Sequence, residues 1–262
     1  MNEYNFSRED PQDPLPPASG EPISPERPTI SVSSRKTKPV VTWVLIGITV
    51  LVYLVQMLTE NQLGVDLPLI YGAKYGPSIK EFHQWWRLIT PVFLHGSVMH
   101  LLFNMYALYV IGPELETFYG HRDFLLFYLI TGFSGNVVSY VASPNTISVG
   151  ASTALFGMIA AQGFLAFKNK RLIRNYSKTI SNILFVVALN LVLGLRSGID
   201  NWGHLGGLIG GAIIAFLSGP VMEIRINSDH SGLEFYDSVS KKSRYAAFAI
   251  TTLFFIALAI AL

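Results

Sequence analysis

A serine at position 152 stands among small residues, at the start of an apolar stretch long enough to form a helix. The surrounding segment reads Gly150-Ala151-Ser152-Thr153-Ala154-Leu155-Phe156-Gly157. Serine is a preferred N-cap residue, so a structural role at the start of the helix is one interpretation. The other is a nucleophile whose backbone N–H lies at the positive end of a helix dipole and can stabilise an oxyanion.

Four other polar side chains interrupt the apolar stretches. His95, His100 and Asn104 lie close together in the chain, and His204 stands within a glycine-rich stretch. His100 and Asn104 are four residues apart and therefore share one face of a helix. An imidazole can take the proton of a serine hydroxyl, and imidazole or amide N–H groups can bind an oxyanion. Ionisable side chains in apolar segments are costly and usually face a functional interior.

The composition is that of a polytopic membrane protein. The chain has 262 residues, of which 50% are hydrophobic and only 14% charged, whereas soluble domains carry about 25% charged residues. The rest of the chain after the first 38 residues falls largely into apolar blocks, and a span needs roughly 20 such residues. Because there is no cysteine, thiol catalysis, disulfides and thiolate metal sites are excluded. The net charge of +2 is too small to argue for a nucleic-acid partner.

Seven apolar blocks are predicted to be membrane-spanning helices, which makes the fold class all-α. They are Val40–Leu58, Met99–Phe118, Phe124–Val141, Ser152–Phe167, Ile183–Leu195, Trp202–Leu217 and Tyr245–Leu262. The first six form a core over residues 39–221, and the seventh covers 244–262. Residues 222–243 are predicted to be a polar cytoplasmic connector. The proline-rich residues 1–38 cannot bury enough apolar surface to fold and are predicted to be a disordered cytoplasmic tail.

Basic residues in the connectors orient these helices. They form three clusters: Arg35–Lys38, Lys168–Lys178 and Arg225–Arg244. If the spans alternate, all three lie on one side, which the positive-inside rule makes cytoplasmic. The N-terminus is then cytoplasmic, and the second, fourth and sixth spans all begin at the outer face. His100, Asn104, Ser152 and His204 are therefore expected at similar depth, just below that face.

Residues 59–95 form a long external segment that is rich in aromatic and turn-forming residues. We expect it to fold against the membrane surface, with Trp85 and Trp86 in the headgroup zone where tryptophan is enriched.

Small residues predict close approach of the fourth and sixth helices. On the sixth helix, Gly207 and Gly211 share a face with His204. Close approach would place Ser152 within hydrogen-bond reach of His204, as a serine–histidine dyad. The Ser152 N–H, His100 and Asn104 would then be the oxyanion donors. Asp200 is expected in the loop before His204 and is not assigned as a third member.

Each of these residues also has an interpretation without catalysis. A single histidine in a span commonly makes a packing hydrogen bond, Ser152 can be a cap, and Asn104 can join two helices. A zinc site made of His95, His100 and His204 is a further reading. It lacks a carboxylate ligand and leaves the Ser152 segment unexplained, so neither a metal nor another cofactor is predicted.

Over about residues 40–220, these motifs in this order resemble the rhomboid family of intramembrane serine proteases. The Ser152 segment resembles the nucleophile motif, and His204-Leu205-Gly206-Gly207-Leu208-Ile209-Gly210-Gly211 fits the family's histidine–glycine pattern. Residues matching further positions of the family are His95 and His100 with Asn104, the pair Trp86-Arg87, and Gly112 with Glu116.

The resemblance implies a six-helix core plus one helix, and hydrolysis of a peptide bond in or near a substrate's transmembrane segment. Ser152 and His204 would be catalytic, and Phe156 would pack on the imidazole, with Gly150 and His95 supporting the site. The partners would be transmembrane substrates and the lipid bilayer, in what we expect to be a bacterial plasma membrane. The alternative is a weak or inactive rhomboid-like protein that binds membrane clients.

Two residues depart from the pattern of that family. Thr153 stands where glycine is usual, and Gly203 where alanine is more usual. A β-branched side chain restricts the backbone, and we expect Thr153 to narrow the space beside the oxyanion site.

Overall fold

The fold is described by a computed structural model over residues 32–33, 37–173, 175–193, 198–226 and 233–261. Within these ranges the regular elements are helices and three short strands. The main helices are α1 (Val40–Leu63), α4 (Val98–Tyr119), α5 (His121–Ala142), α6 (Ser152–Lys168), α7 (Tyr176–Leu193), α8 (Asn201–Ser218) and α9 (Lys241–Ile260). Short helices α2 (Leu67–Gly72) and α3 (Gly76–Phe82) lie between α1 and α4. Most of the predicted N-terminal tail lies outside the described residues.

Helices occur at all seven predicted positions, but they are not equally suited to lipid. Four of the described helices are long and apolar enough to cross a membrane: α1, α4, α5 and α9. Helices α6 and α8 pack on each other and on α5. Because their contacts are mainly with protein, these two central helices can be shorter or carry polar residues.

Glycine brings α6 and α8 together. Gly207 lies against the backbone of Thr153, and Gly211 against the backbone of Gly157, and at both glycines a Cβ would overlap those atoms. The predicted close approach of these two helices is therefore observed, and it sets the depth of Ser152 relative to His204.

The connector after α8 contains structure that the sequence analysis missed. Strands β2 (Met222–Ile226) and β3 (Leu233–Asp237) pair antiparallel. Strand β1 (Val32–Ser33), from within the predicted tail, pairs in parallel with β3. The charged residues of this stretch predict a polar connector, whereas in β2 Glu223 and Arg225 alternate with the apolar residues Met222, Ile224 and Ile226.

A second feature at this end of the helices is a buried carboxylate. Glu116 of α4 accepts hydrogen bonds from the backbone N–H groups of Val41 and Thr42 and from the Thr42 hydroxyl. Gly112, one turn earlier, lies against Thr42. These contacts satisfy free N–H groups in the first turn of α1 and join α1 to α4.

Residues 64–97, called the α1–α4 segment here, form an ordered layer of short helices and turns. The predicted start of this segment was too early, because α1 continues to Leu63. The guanidinium of Arg87 is buried and donates to the carbonyl oxygens of Ala73 and Ile70. The indole of Trp86 donates to the carbonyl of Tyr71, although the residue is 49% exposed. The segment therefore holds itself together through backbone carbonyls.

Candidate active site

Helix α6 begins at Ser152, and the chain turns sharply just before it. Gly150 has φ +128°, and a Cβ there would lie 2.8 Å from Cε1 and Nε2 of His100. Glycine is therefore required for its backbone conformation and for the space that the His100 ring occupies. Ala151 is the N-cap residue, with no side-chain cap. Ser152 is therefore the first residue of the helix and not its N-cap, and its hydroxyl is free for another partner.

That partner is His204. The Oγ of Ser152 and the Nε2 of His204 are 2.9 Å apart, across the contact of α6 with α8. The other ring nitrogen of His204, Nδ1, is buried and has no hydrogen-bond partner in the part of the chain that the structure describes. With its proton on Nδ1, the imidazole would present a lone pair to the serine hydroxyl.

Asp200 serves the helix rather than the imidazole. It is the N-cap of α8, and its Oδ1 accepts the backbone N–H of Gly203 at 2.9 Å. A carboxylate at this position also complements the helix dipole. Among the residues that the structure describes, no acidic side chain therefore bonds to Nδ1 of His204 as a third member of the pair.

The ring of Phe156 packs against the imidazole of His204 and fixes its orientation. It stacks on His204 with 4.3 Å between ring centroids and 12° between planes. Phe156 lies four residues after Ser152, on the same face of α6. The helix that carries the serine therefore also carries the surface on which the histidine rests.

His100 and Asn104 flank the serine from α4. Because the Cβ position of Gly150 is also 3.5 Å from the Ser152 Oγ, His100 and the hydroxyl border the same small space. Asn104 lies one turn further along α4, and its buried Nδ2 lacks a partner among the described residues. An unpaired buried donor is costly, so this amide is poised for an acceptor outside the described side chains.

His95 packs against His100. Its ring meets that of His100 edge-on, with 5.0 Å between centroids. Its backbone exchanges hydrogen bonds with the side-chain amide of Gln56. Burial, aided by the neighbouring His100, lowers the pKa of His95 to about 3. His95 is therefore neutral at ordinary pH and unsuited to accept a proton.

Thr153 does not face the oxyanion side. Its methyl group lies 3.0 Å from the Cβ position of Gly203, and its Cβ lies 2.6 Å from that of Gly135 on α5. The expectation that Thr153 narrows the space beside the oxyanion site is therefore wrong. The side chain instead fills the gap left by two glycines at the contact of α5, α6 and α8.

The zinc interpretation finds no geometric support. Among the described residues, no group of three histidine, cysteine or acidic side chains is arranged to hold a metal ion.

Comparison with known proteins adds the family. A family model described as a Rhomboid domain matches residues 82–221, which include every residue of the site named so far in α4, α6 and α8. The chain belongs to the rhomboid family. Like the family, this rhomboid is an all-α, multi-pass membrane protein with a six-helix core and one further helix.

Curated relatives give the extent of the likeness. This rhomboid is 36% identical over 192 residues to the rhomboid protease GluP of Bacillus subtilis, covering 72% of this chain and 37% of that one. It is 35% identical over 182 residues to the putative rhomboid protease YdcA of the same organism, covering 68% of this chain and 88% of that one. It is 38% identical over 146 residues to RHOMBOID-like protein 2 of Arabidopsis thaliana, covering 56% of this chain and 46% of that one. The chain thus spans less than half the length of two of these three relatives.

Proposed function

We propose that this rhomboid is an intramembrane serine endopeptidase that cleaves transmembrane proteins in or near their membrane-spanning segment. The observation that carries the proposal is the 2.9 Å contact between the Ser152 hydroxyl and His204. A serine hydroxyl is a weak nucleophile until an adjacent base takes its proton, and His204 is that base. The protease names of two relatives support the same activity.

The first chemical step is acylation of Ser152. Its Oγ attacks the carbonyl carbon of the scissile peptide bond while its proton passes to Nε2 of His204. The tetrahedral intermediate carries an oxyanion, for which the Ser152 N–H, His100 and Asn104 are the donors. Return of the proton from His204 to the amide nitrogen breaks the C–N bond and leaves an acyl-enzyme.

Water completes the reaction. His204 takes a proton from water, the resulting hydroxide attacks the ester carbonyl, and the proton then returns to the Ser152 oxygen. The enzyme is regenerated without a cofactor. Throughout, the face-to-face stack on Phe156 keeps the imidazole in place, which is the role that a third, acidic residue has in other serine proteases.

The membrane arrangement belongs to the same proposal. With the basic connectors in the cytoplasm, residues 1–38 and 222–243 are cytoplasmic. The site then opens towards the outer face of what we propose is a bacterial plasma membrane.

The test is covalent labelling of the purified full-length protein, in micelles, with a fluorophosphonate probe. We expect labelling at Ser152, together with cleavage of a labelled single-span transmembrane peptide. Ser152→Ala and His204→Ala should abolish both signals, whereas Ser181→Ala, which removes an exposed hydroxyl on α7, should leave both unchanged. Peptide binding without labelling would instead identify a rhomboid-like protein that binds membrane clients.

A further inference from the structure

Lys74 is a charged side chain buried in the α1–α4 segment, close to the loop that leads to Ser152. Its side chain is fully buried, with 0% exposure. The loop in question covers residues 143–151, between α5 and α6, and we call it the α5–α6 loop. Lysine is rarely buried unless its charge is paired, so this position calls for an explanation.

The ammonium group of Lys74 is bound entirely by the α5–α6 loop. Its Nζ lies 2.9 Å from the carbonyl oxygen of Ser143, 2.8 Å from that of Thr146 and 3.1 Å from the Thr146 hydroxyl. An ammonium has three N–H donors, and three acceptors stand around it here. Hydrogen bonds from a charged donor are about twice as strong as neutral ones.

The backbone of Lys74 continues the same contact. Its N–H donates to the carbonyl of Ser148, and the Ser148 N–H donates back to the carbonyl of Lys74, both at 3.0 Å. One residue of the α1–α4 segment therefore holds the α5–α6 loop at three positions. Ser148 is only four residues before Ser152.

Two further hydrogen bonds from the α1–α4 segment hold the ends of this loop. The N–H of Gly76 donates to the carbonyl of Pro144, and the N–H of Gly150 donates to the carbonyl of Pro91. These bonds are between backbone groups. Lys74 is therefore the residue whose side chain can be changed to test what the contact does.

The charge of Lys74 is also linked to the helix of His204. Burial lowers the pKa of Lys74 to about 8, and the negative charge of Asp200 partly offsets this effect. Asp200 caps α8 four residues before His204. The α5–α6 loop has no ionisable side chain, and the charge that offsets the effect of burial on the ammonium is that of Asp200.

We propose that Lys74 is a positioning residue, whose ammonium fixes the α5–α6 loop so that Ser152 meets His204 at reacting distance. This inference rests on the proposed function. It assigns to the α1–α4 segment a part in the chemical step, in addition to any contact with the membrane surface.

Buried charge makes an explanation from packing alone inadequate. An apolar side chain of similar length would avoid the cost of removing an ammonium from water. Because the folded pKa lies below that of the unfolded chain, the protonated form opposes folding. The free energy of unfolding should accordingly rise with pH from about 8 to about 10.5, the ordinary value. The same deprotonation leaves two donors for three acceptors, so the contact with the loop weakens as the fold gains stability.

The experiment compares wild type with Lys74→Met by the kinetics of fluorophosphonate labelling, which needs no knowledge of the substrate. We expect the maximal labelling rate to fall roughly tenfold, because small misplacements of reacting groups are costly. The probe concentration at half-maximal rate should change little. The ratio of the two maximal rates should shrink as the pH rises through about 8, since wild type then loses its ammonium.

Two variants complete the design. Lys80→Met is the matched control, because Lys80 is an exposed lysine on α3 of the same segment, and it should label at the wild-type rate. Thr146→Val removes the exposed hydroxyl that accepts from Lys74 and itself donates to the carbonyl of Ser143. It should lower the rate in the same direction as Lys74→Met, by less. This variant keeps the test decisive if Lys74→Met does not fold.

Three results would contradict the inference. Equal labelling rates for wild type and Lys74→Met, or for wild type and Thr146→Val where the first variant cannot be purified, would overturn it while leaving the proposed function intact. If the ratio of the two maximal labelling rates stayed constant with pH, Lys74 would act through packing and not through its charge. If wild type is not labelled at Ser152 at all, the proposed function fails and this inference falls with it.

Discussion

The two ends of the helix bundle treat buried polar groups in opposite ways. At the end where α6 and α8 begin, Nδ2 of Asn104 and Nδ1 of His204 are buried and have no hydrogen-bond partner among the described residues. At the opposite end, Glu116 binds three donors from the start of α1 and the imidazole of His121. Arg244 of α9 pairs there with Asp123 and Asp237.

The difference separates polar groups that stabilise the fold from polar groups that the proposed function would use. Buried polar groups are nearly always paired in folded proteins. The carboxylates of Glu116, Asp123 and Asp237 at the opposite end follow that rule, although the hydroxyl of Tyr119 and Nε of Arg244 lack partners among the described residues. Unpaired groups at the Ser152 end cost stability. Under the proposed function, Nδ2 of Asn104 is the unpaired donor with which an oxyanion beside Ser152 would pair.

The largest effect that this comparison predicts is the loss of activity in Asn104→Ala. Removing one oxyanion donor lowers kcat by roughly a hundredfold to a thousandfold. Since Nδ2 of Asn104 has no partner to lose, the free energy of unfolding should stay within about 1 kcal/mol of wild type. Peptide cleavage and thermal unfolding in the same micelles measure the two quantities.

Asn169→Ala is the matched variant at the opposite end. Asn169 is 7% exposed, against 6% for Asn104. Its side chain bonds to the carbonyls of Leu165 and Pro220 and accepts the N–H of Met222. Its loss should therefore lower the free energy of unfolding, by about 2 kcal/mol, and leave kcat unchanged. If the two variants gave the same pattern of effects, the comparison would be wrong.

Glu116→Gln tests the paired end more severely. The amide keeps the shape of the carboxylate, but it is neutral and turns an N–H₂ group towards the donors of Val41 and Thr42. We expect the free energy of unfolding to fall by about 3 kcal/mol, as when one partner of a buried charged contact is removed. The measurement is unfolding in micelles, alongside the labelling rate per folded molecule.

The outcome for catalysis separates this variant from those at the Ser152 end. The labelling rate of the folded fraction should equal that of wild type. Glu114→Gln is a suitable control, because the hydrogen bond that the Glu114 carboxylate accepts among the described residues, from Gln162, is exposed. A loss of labelling without a loss of stability would show that the carboxylate acts on the chemistry.

Much of this arrangement could be predicted from the sequence, for identifiable reasons. Hydropathy located the helices, and the glycines of α8 predicted its close approach to α6. The alternation of spans placed Ser152 and His204 at one depth. These inferences depend on averages over many residues, such as apolar length and helix periodicity, which the sequence displays directly.

Other features leave no local pattern. The hydrogen bonds that join Lys74 and Pro91 to the α5–α6 loop connect backbone groups far apart in the chain. No spacing of residues in the sequence therefore predicts them. The β2–β3 strands are partly exposed and carry charges, which resembles a linker. The direction of the Thr153 side chain depends on the rotation of α6 about its axis, which packing of the whole bundle determines. Our expectation for Thr153 was wrong for that reason.

Thr153 and Gly203 form a compensating pair, which predicts the smallest of these effects. The bulk present at position 153 fills the space left by the missing Cβ at 203. Gly203→Ala alone should therefore lower the free energy of unfolding by about 1–2 kcal/mol through overpacking. Combined with Thr153→Ala, the same substitution should cost about 1 kcal/mol less than alone, which a double-mutant cycle measures. The Cβ would still lie 2.8 Å from Oδ2 of Asp200, so the rescue is partial.

Gly47→Ala on α1 is the control for the glycine change itself, because a Cβ there meets nothing within 4 Å. It should be neutral or stabilising, since alanine favours a helix over glycine. Additive effects of Thr153→Ala and Gly203→Ala would mean that the two residues do not act on each other. A positive coupling, with labelling of Ser152 retained in the double variant, would show that the residue after the serine and the residue before the histidine pack the two helices together. Reaction at the unpaired end would then depend on a contact that contains no reacting group.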